Sequence, residues 1–470
     1  MFWKLFKSND GTGLNEYIAS ILACILGFSV GIHTGWTSPF IRKLTPSEGY
    51  PFEVSSEDAS YIAICGPCGD LIGDVTSMLV VDKIGRKNTL IYLGIPLLIS
   101  NLLIYFSYLF PWLIYVARIS GGISMGTFMT IAPIYISEIS RPAIRGKLGI
   151  FVVFSGSAGM IAVNLAGKYF NIFSSALIFA AIVLSFLILF CFMPETPYYY
   201  LMKGNIMGAE KSLRFLRKRK DVKKELDCLV EDVKRQLSEK GNTLDLLRVV
   251  SNRKALYMMV SARIFQQFTG FLAFTMYARS ILTDSEEIID PESAVVIVSF
   301  ILTFIGILSG NLSDKFGRIP LIVSSTAVCT ITLTLFGVYF TLRDFSDVDV
   351  PIWSPLVLFT VHYIMLQLGI GSLLSVMLGE LFSASIKPKA VCAVNIIFSL
   401  SVIVTAKFYQ ICTDYLHTSV CFYVFAVSTL IATFIIKYYF PETKGKTLEE
   451  IQMDLRGETR RRSKISISIF

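Results

Sequence analysis

Residues 82–87 read Asp-Lys-Ile-Gly-Arg-Lys and residues 314–318 read Asp-Lys-Phe-Gly-Arg, and this pair of copies decides the fold. Each copy follows the second apolar stretch of its half of the chain. Glycine permits a tight reversal between helices, and the flanking aspartate and arginine are placed to pair with charges on neighbouring helix ends. Two further echoes run in the same register. Glu138 is followed seven residues later by Arg145, and Glu380 by Lys387 at the same interval. Pro194-Glu195-Thr196-Pro197 is matched by Pro441-Glu442-Thr443-Lys444. Seven residues make about two helical turns, so a continuous helix would carry glutamate and base on one face beside the Asp-x-x-Gly-Arg loops. Basic loops alone would explain the lysines and arginines, but not acids and glycines repeated in order. The pattern is that of an internal duplication whose loop charges hold one conformation and release in another.

Outward from these loops lie apolar windows near 16–38, 59–81, 89–109, 112–136, 147–168 and 174–193, then 256–282, 293–313, 320–342, 353–379, 390–412 and 419–440. About 20 apolar residues cross the ~30 Å hydrocarbon core of a bilayer. With 53% apolar and only 17% charged residues, the chain cannot be a soluble protein. The expectation is an all-α integral membrane protein with twelve transmembrane helices in two six-helix pseudo-repeats. Its parts would be an N-terminal segment 1–15, a bundle 16–193, a linker 194–255 with short helices, a second bundle 256–440 and a tail 441–470. Lysine and arginine concentrate in alternate loops, which places both termini in the cytoplasm. The acidic stretch Asp284, Glu286, Glu287, Asp290 and Glu292 then falls outside.

In the linker, Leu226, Leu229, Val233 and Leu237 recur at helical spacing and predict amphipathic helices packed beneath the bundle. The N-terminus lacks a small-residue cleavage pattern, so the first span is expected to serve as the insertion signal. Arg460, Arg461 and Arg462 suit either an anionic lipid surface or a plain topogenic anchor.

The formal charge of +8 is spread between apolar segments and not gathered on one face, which excludes a nucleic-acid partner. The nine cysteines sit mostly in apolar windows and read as small buried hydrophobes; Cys65-x-x-Cys68 lacks further metal ligands nearby, and Cys412 and Cys421 flank a short loop and are close enough in sequence to pair. No nucleotide-binding loop, metal-ligand cluster or nucleophile arrangement stands out, so neither a cofactor nor an enzymatic activity is expected. Oligomeric state is not readable from the sequence.

Together Arg118-x-x-x-Gly122, Pro133-x-Tyr135-x-x-Glu138, Arg145-Gly146, Gln266-Gln267-x-x-Gly270 and Pro441-Glu442-Thr443 resemble the sugar-porter family of the major facilitator superfamily over essentially the whole chain. Gly35-Trp36-Thr37-Ser38-Pro39, Pro194 to Pro197 and Thr405-x-Lys407-Phe408 are most similar to the insect facilitated trehalose transporters. The resemblance implies a plasma-membrane uniporter, in which two bundles rock about a central site for trehalose or a hexose such as glucose. It implies sugar contacts from Gln266, Gln267 and Asn395, since amides both donate and accept. It also implies a gating network of Asp82, Arg86, Arg118, Glu138, Arg145, Asp314, Arg318, Glu380 and Lys387.

The chain departs from the family at that site. Leu272 replaces the asparagine usual five residues after the second glutamine, and Val153 stands at the fifth-span glutamine position. The span-ten Gly-Pro-x-Pro-Trp reads Gly371-Ser372-Leu373-Leu374-Ser375, without the prolines or the tryptophan platform. His33 occupies a position where proton-coupled members often carry aspartate, and suits either a protonation role or a cavity-lining hydrogen bond to sugar. Asp74 and Asp70, about 12 and 18 Å from Asp82 by helical rise, are intramembrane carboxylates. They suit a protonation site, or structural pairing with Arg118, Lys407 or backbone donors. Proton-coupled symport and a non-transporting sugar sensor are therefore the two alternatives.

Overall fold

The computed structural model describes residues 14–44, 50–219, 221–238, 245–271, 274–275, 278–345, 350–382, 386–446 and 448–456. Their regular secondary structure is all helical, with no strand among them. The chain divides into two compact units, Met1–Lys240 and Gly241–Phe470. Leu272 and Arg460 to Arg462 lie outside the described residues, as does the N-terminal stretch before Leu14.

In the first unit the membrane helices are α1 (Leu14–Gly35), α2 (Ser56–Ile84), the pair α3 (Arg86–Tyr92) and α4 (Ile95–Phe106), α5 (Leu113–Ile139), α6 (Pro142–Tyr169) and α7 (Ile172–Phe190). Three short helices follow: α8 (Pro197–Met202), α9 (Ile206–Arg217) and α10 (Lys223–Ser238). Close approach of α2 and α5 depends on glycine. A Cβ on Gly122 would meet the Gly66 carbonyl, and one on Gly126 the Asp70 carbonyl, so the Arg118-x-x-x-Gly122 spacing serves backbone-to-backbone packing. Helices α9 and α10 bury Leu226 and Val233 against Leu213 and Leu201.

In the second unit α11 (Val250–Gln266) runs into a π-helical turn, Gln267–Phe271, and then α12 (Ala278–Leu282). Next come α13 (Pro291–Phe316), α14 (Arg318–Phe345), α15 (Ser354–Leu366), a second π-helical turn Gln367–Gly371, α16 (Ser372–Leu381), α17 (Lys387–Tyr415), α18 (Thr418–Tyr439) and α19 (Leu448–Arg456). Among the described residues, eleven helical stretches are long and apolar enough to cross a membrane. The expected seventh window, 256–282, is the interrupted run from α11 to α12. Span ten passes through a π turn although its prolines are gone. His362 satisfies a carbonyl that the span-seven break frees: its Nε2 donates to the Thr269 carbonyl at 3.1 Å, and Nδ1 lies 2.8 Å from the Thr332 hydroxyl. All nine cysteines are free thiols, so Cys412 and Cys421, expected as a possible pair, remain buried hydrophobes.

The core of each unit is hydrocarbon, and exposed large side chains such as Leu79, Phe192, Phe304 and Phe434 offer lipid-compatible surface outside it.

Candidate functional site

The span-seven amides sit where α11 gives way to its π turn, and their surroundings divide their roles. Gln266 is 2% exposed and internally satisfied: its Oε1 accepts from Arg263 Nη1 at 2.8 Å, and its Nε2 donates to the Gly371 carbonyl at 3.3 Å. Gln267 is fully buried, and neither its Nε2 nor its Oε1 has a partner among the described residues. An unpaired buried amide costs about 1–3 kcal/mol, which a ligand hydroxyl would recover.

Arg263, one turn before Gln266, was not anticipated. Its Nη2 donates to Ser375 Oγ at 3.1 Å, in the tryptophan position of the family, and its guanidinium lies 5.2 Å from the centre of the Phe398 ring. Asn395, partly exposed, precedes Phe398 by one helical turn on α17.

A second polar cluster lies within the first unit. Arg118 is 1% exposed; its Nη1 donates to the His33 carbonyl at 2.6 Å and lies 3.2 Å from His33 Nδ1, while Nη2 donates to Thr37 Oγ1 at 3.2 Å. A guanidinium facing Nδ1 leaves the ring proton on Nε2, and that atom has no partner among the described residues. Asp70 Oδ1 is likewise buried and unpaired, whereas Asp74 accepts from Thr130 Oγ1 at 2.9 Å. Lys407 is in the second unit, donating to Gln410 Oε1 at 2.6 Å. Arg118 stands twenty residues before Glu138 on α5, about 30 Å by helical rise. Its expected place in the loop charge network is therefore corrected: it belongs to the His33 cluster.

At the basic end of the first unit, Arg86 Nε contacts Glu138 Oε1 at 3.1 Å and Nη1 contacts Asp82 Oδ1 at 3.2 Å. Thr196 Oγ1 donates to the other Glu138 oxygen at 2.6 Å. Glu195 accepts the backbone N–H groups of Arg86 at 3.1 Å and Lys87 at 3.0 Å, thereby receiving the first turn of α3. The second unit repeats the plan. Arg318 reaches Asp314 at 3.0 Å and Glu380 at 3.1 Å, and Glu442 accepts the N–H groups of Arg318 and Ile319, each at 3.0 Å. Gly85 and Gly317, at φ 97° and 99°, turn the chain into these clasps.

Their carboxylates differ. Burial pushes Glu195 above the usual glutamate range, against the N–H groups of Thr196 and Lys87. Burial also pushes Glu442 up, but N–H donors from Lys444, Arg318 and Ile319 outweigh it and hold that carboxyl below the usual range.

The seven-residue echo is not a single helix face. Ser140 and Arg141 are extended before Pro142, and Phe382 is extended ahead of Lys387 and Pro388, so each glutamate ends one helix and each base begins the next. Arg145 is exposed, lining a largely apolar groove of about 250 Å³ with Pro133, Ile136 and Val153, and has no ion pair among the described residues. Burial pulls the Lys387 ammonium below the ordinary lysine value, with Glu380 opposing.

Glu195, Glu442 and Thr196 were legible only as a repeated motif without a role. Glu16 carried no signal at all: fully buried, it pairs with Arg141 at 3.0 Å and Arg217 at 3.1 Å, and so holds α9 against the bundle.

Two duplicated helical units, repeated charge clasps and a helix interrupted beside one unpaired amide define the major facilitator fold. Solved structures of that fold match: the xylose transporter XylE from E. coli in a partially occluded inward open conformation is 22% identical, with TM-score 0.76 over 92% of this chain and 99% of that one. The chain belongs to the sugar (and other) transporter family, whose model matches residues 19–455. Curated relatives include the facilitated trehalose transporter Tret1 of Polypedilum vanderplanki, 30% identical over 96% of this chain and 90% of that protein. Another is Tret1 of Drosophila willistoni, 30% identical over 96% of this chain. The chain spans about half the length of that relative, 52%, and of several other Drosophila relatives.

Proposed function

We propose that this chain is a facilitative sugar transporter of the plasma membrane, working by alternating access with both termini in the cytoplasm. The observation that carries the reading is Gln267, a buried amide with both polar atoms unpaired at the break in span seven. Such a group recognises hydroxyls without charge, and family membership supports a sugar as its ligand. Relatives named as facilitated trehalose transporters support trehalose as the first sugar to test, with glucose beside it. Gln266 and Asn395 flank the same region, while the Arg86 and Arg318 clasps, with Arg145 and Lys387, time the movement between states.

The test is counterflow of labelled trehalose and glucose in proteoliposomes without an ion gradient. Saturable exchange, weakened about fivefold in affinity by Gln267→Ala, is the expected result. Folded protein that exchanges neither sugar would overturn it and favour a sensor.

The unpaired His33 Nε2 and Asp70 Oδ1 favour one second reading, proton coupling. Net uptake unchanged by collapse of the proton gradient would remove it.

A further inference from the structure

Arg263 poses a charge problem that its neighbours do not solve. It is 8% exposed and lies thirteen residues into α11, about 20 Å from the start of the helix. Its partners are neutral: an amide oxygen at 2.8 Å, a hydroxyl at 3.1 Å and a phenyl ring at 5.2 Å. Its Nε has no acceptor among the described residues. Burial acts on it without any carboxylate to offset the charge. The acid closest along the contacting helix is Glu380, five residues beyond Ser375, about 7.5 Å by rise, and Glu380 is held by Arg318 at 3.1 Å. Arg118 in the first unit is different, because the Asp70 carboxylate acts on it.

A guanidinium keeps its charge in proteins. Buried within an apolar bundle without a counter-ion, it carries a desolvation cost that neutral acceptors only partly offset. An intramembrane arginine in this state marks a place where an anion arrives from elsewhere. Gln267, four residues along the chain, presents its own unpaired amide, and Ser375 places a small hydroxyl against the guanidinium at 3.1 Å.

The geometry points to an anion subsite at Arg263: the ligand of the span-seven site is a sugar bearing an acidic group, a carboxylate or a phosphate, bound by the guanidinium while Gln267 takes a hydroxyl. This rests on the reading of Gln267 as a sugar contact, and it adds to that reading a preference for acidic sugars over neutral ones.

Thermal shift and counterflow are measured on the full chain in lipid with glucose, trehalose, glucuronate and glucose 6-phosphate at neutral pH. The acidic sugars are expected to bind roughly ten- to a hundred-fold tighter than glucose, the range of a charge-assisted contact. Arg263→Gln should abolish that preference and Arg263→Lys should retain part of it. The neutral variant should remain folded, since an amide relieves the uncompensated charge.

If glucose or trehalose exchanges while neither acidic sugar binds better than glucose, the subsite is overturned and the transport reading stands. If an acidic sugar stabilises the protein in an Arg263-dependent way without any exchange, the subsite stands and transport fails. An acidic preference unchanged in Arg263→Gln would also overturn the assignment. Absence of any binding by all four compounds would overturn both. Preference for glucose 6-phosphate over glucuronate, or the reverse, identifies the acidic group.

Discussion

Replacing Glu138 by glutamine removes one charge from a buried pair without changing its size, and the same change at Glu380 does so in a more open setting. The side chains of Arg86 and Glu138 are 7% and 11% exposed, whereas those of Arg318 and Glu380 are 12% and 27% exposed. In the first unit the variant leaves Arg86 in direct ion-pair contact with Asp82 alone, which is 62% exposed and well screened, with Glu195 acting on it without a direct contact, and weakens the 2.6 Å bond from Thr196. Orphaning a buried charge costs about 3–5 kcal/mol, while a partly solvated pair approaches the surface value of about 1 kcal/mol. For units of this size each kcal/mol moves the melting temperature by about 2–4 °C. Glu138→Gln should therefore lower it by about 6–20 °C and Glu380→Gln by about 2–4 °C. The assay is thermal unfolding of the full chain in nanodiscs, followed by a thiol-reactive dye that reads buried cysteines such as Cys24 and Cys329 as they are released. Arg86→Gln added to Glu138→Gln should recover part of the loss, because the uncompensated charge goes with it. Equal shifts for the two glutamates, or a larger one for Glu380→Gln, would refute burial as the source of the difference.

Gly85→Ala and Gly317→Ala should each destabilise by about 1–3 kcal/mol in the same assay, since both glycines have positive φ and a Cβ on Gly317 would lie 2.7 Å from a Glu442 oxygen. Acidification separates the clasps. Glu442, held below the ordinary value of 4.5, stabilises the fold above that pH and loses its contribution as pH falls through its folded value, so wild type should lose stability below pH 4.5 relative to Glu442→Gln. Glu195, raised above 4.5, contributes most below that pH and less as pH rises through its folded value, so Glu195→Gln should differ from wild type with the opposite slope. Glu16→Gln should free α9, because two arginines at 3.0 and 3.1 Å lose their shared anion; limited proteolysis should then cut between α8 and α10 faster than in wild type.

What the sequence disclosed and what it hid follow from how each contact is built. Asp82, Arg86 and their copies were legible because duplication prints each local motif twice, and the partner motif Pro-Glu-Thr was printed twice as well. Its role was not legible, since Glu195 binds backbone N–H groups more than one hundred residues away, and backbone donors carry no residue signature. Counting seven residues from Glu138 to Arg145 assumed one helix, and Pro142 ends that assumption by forcing Arg141 to be extended. Span ten lacks the family's prolines, yet a π turn forms at Gln367–Gly371, and the Gly371 carbonyl accepts from Gln266. The two adjacent glutamines are equivalent as letters. They differ only once Arg263 occupies Gln266 and leaves Gln267 unpaired. Arg263 itself reads as one more base near a basic loop, and only its depth along α11 and its neutral neighbours turn it into a buried cation awaiting an anion. Local, repeated chemistry is therefore visible from residue order, whereas pairing state depends on which distant side chain arrives, and it is pairing state that separates a scaffold amide from one left to meet a ligand.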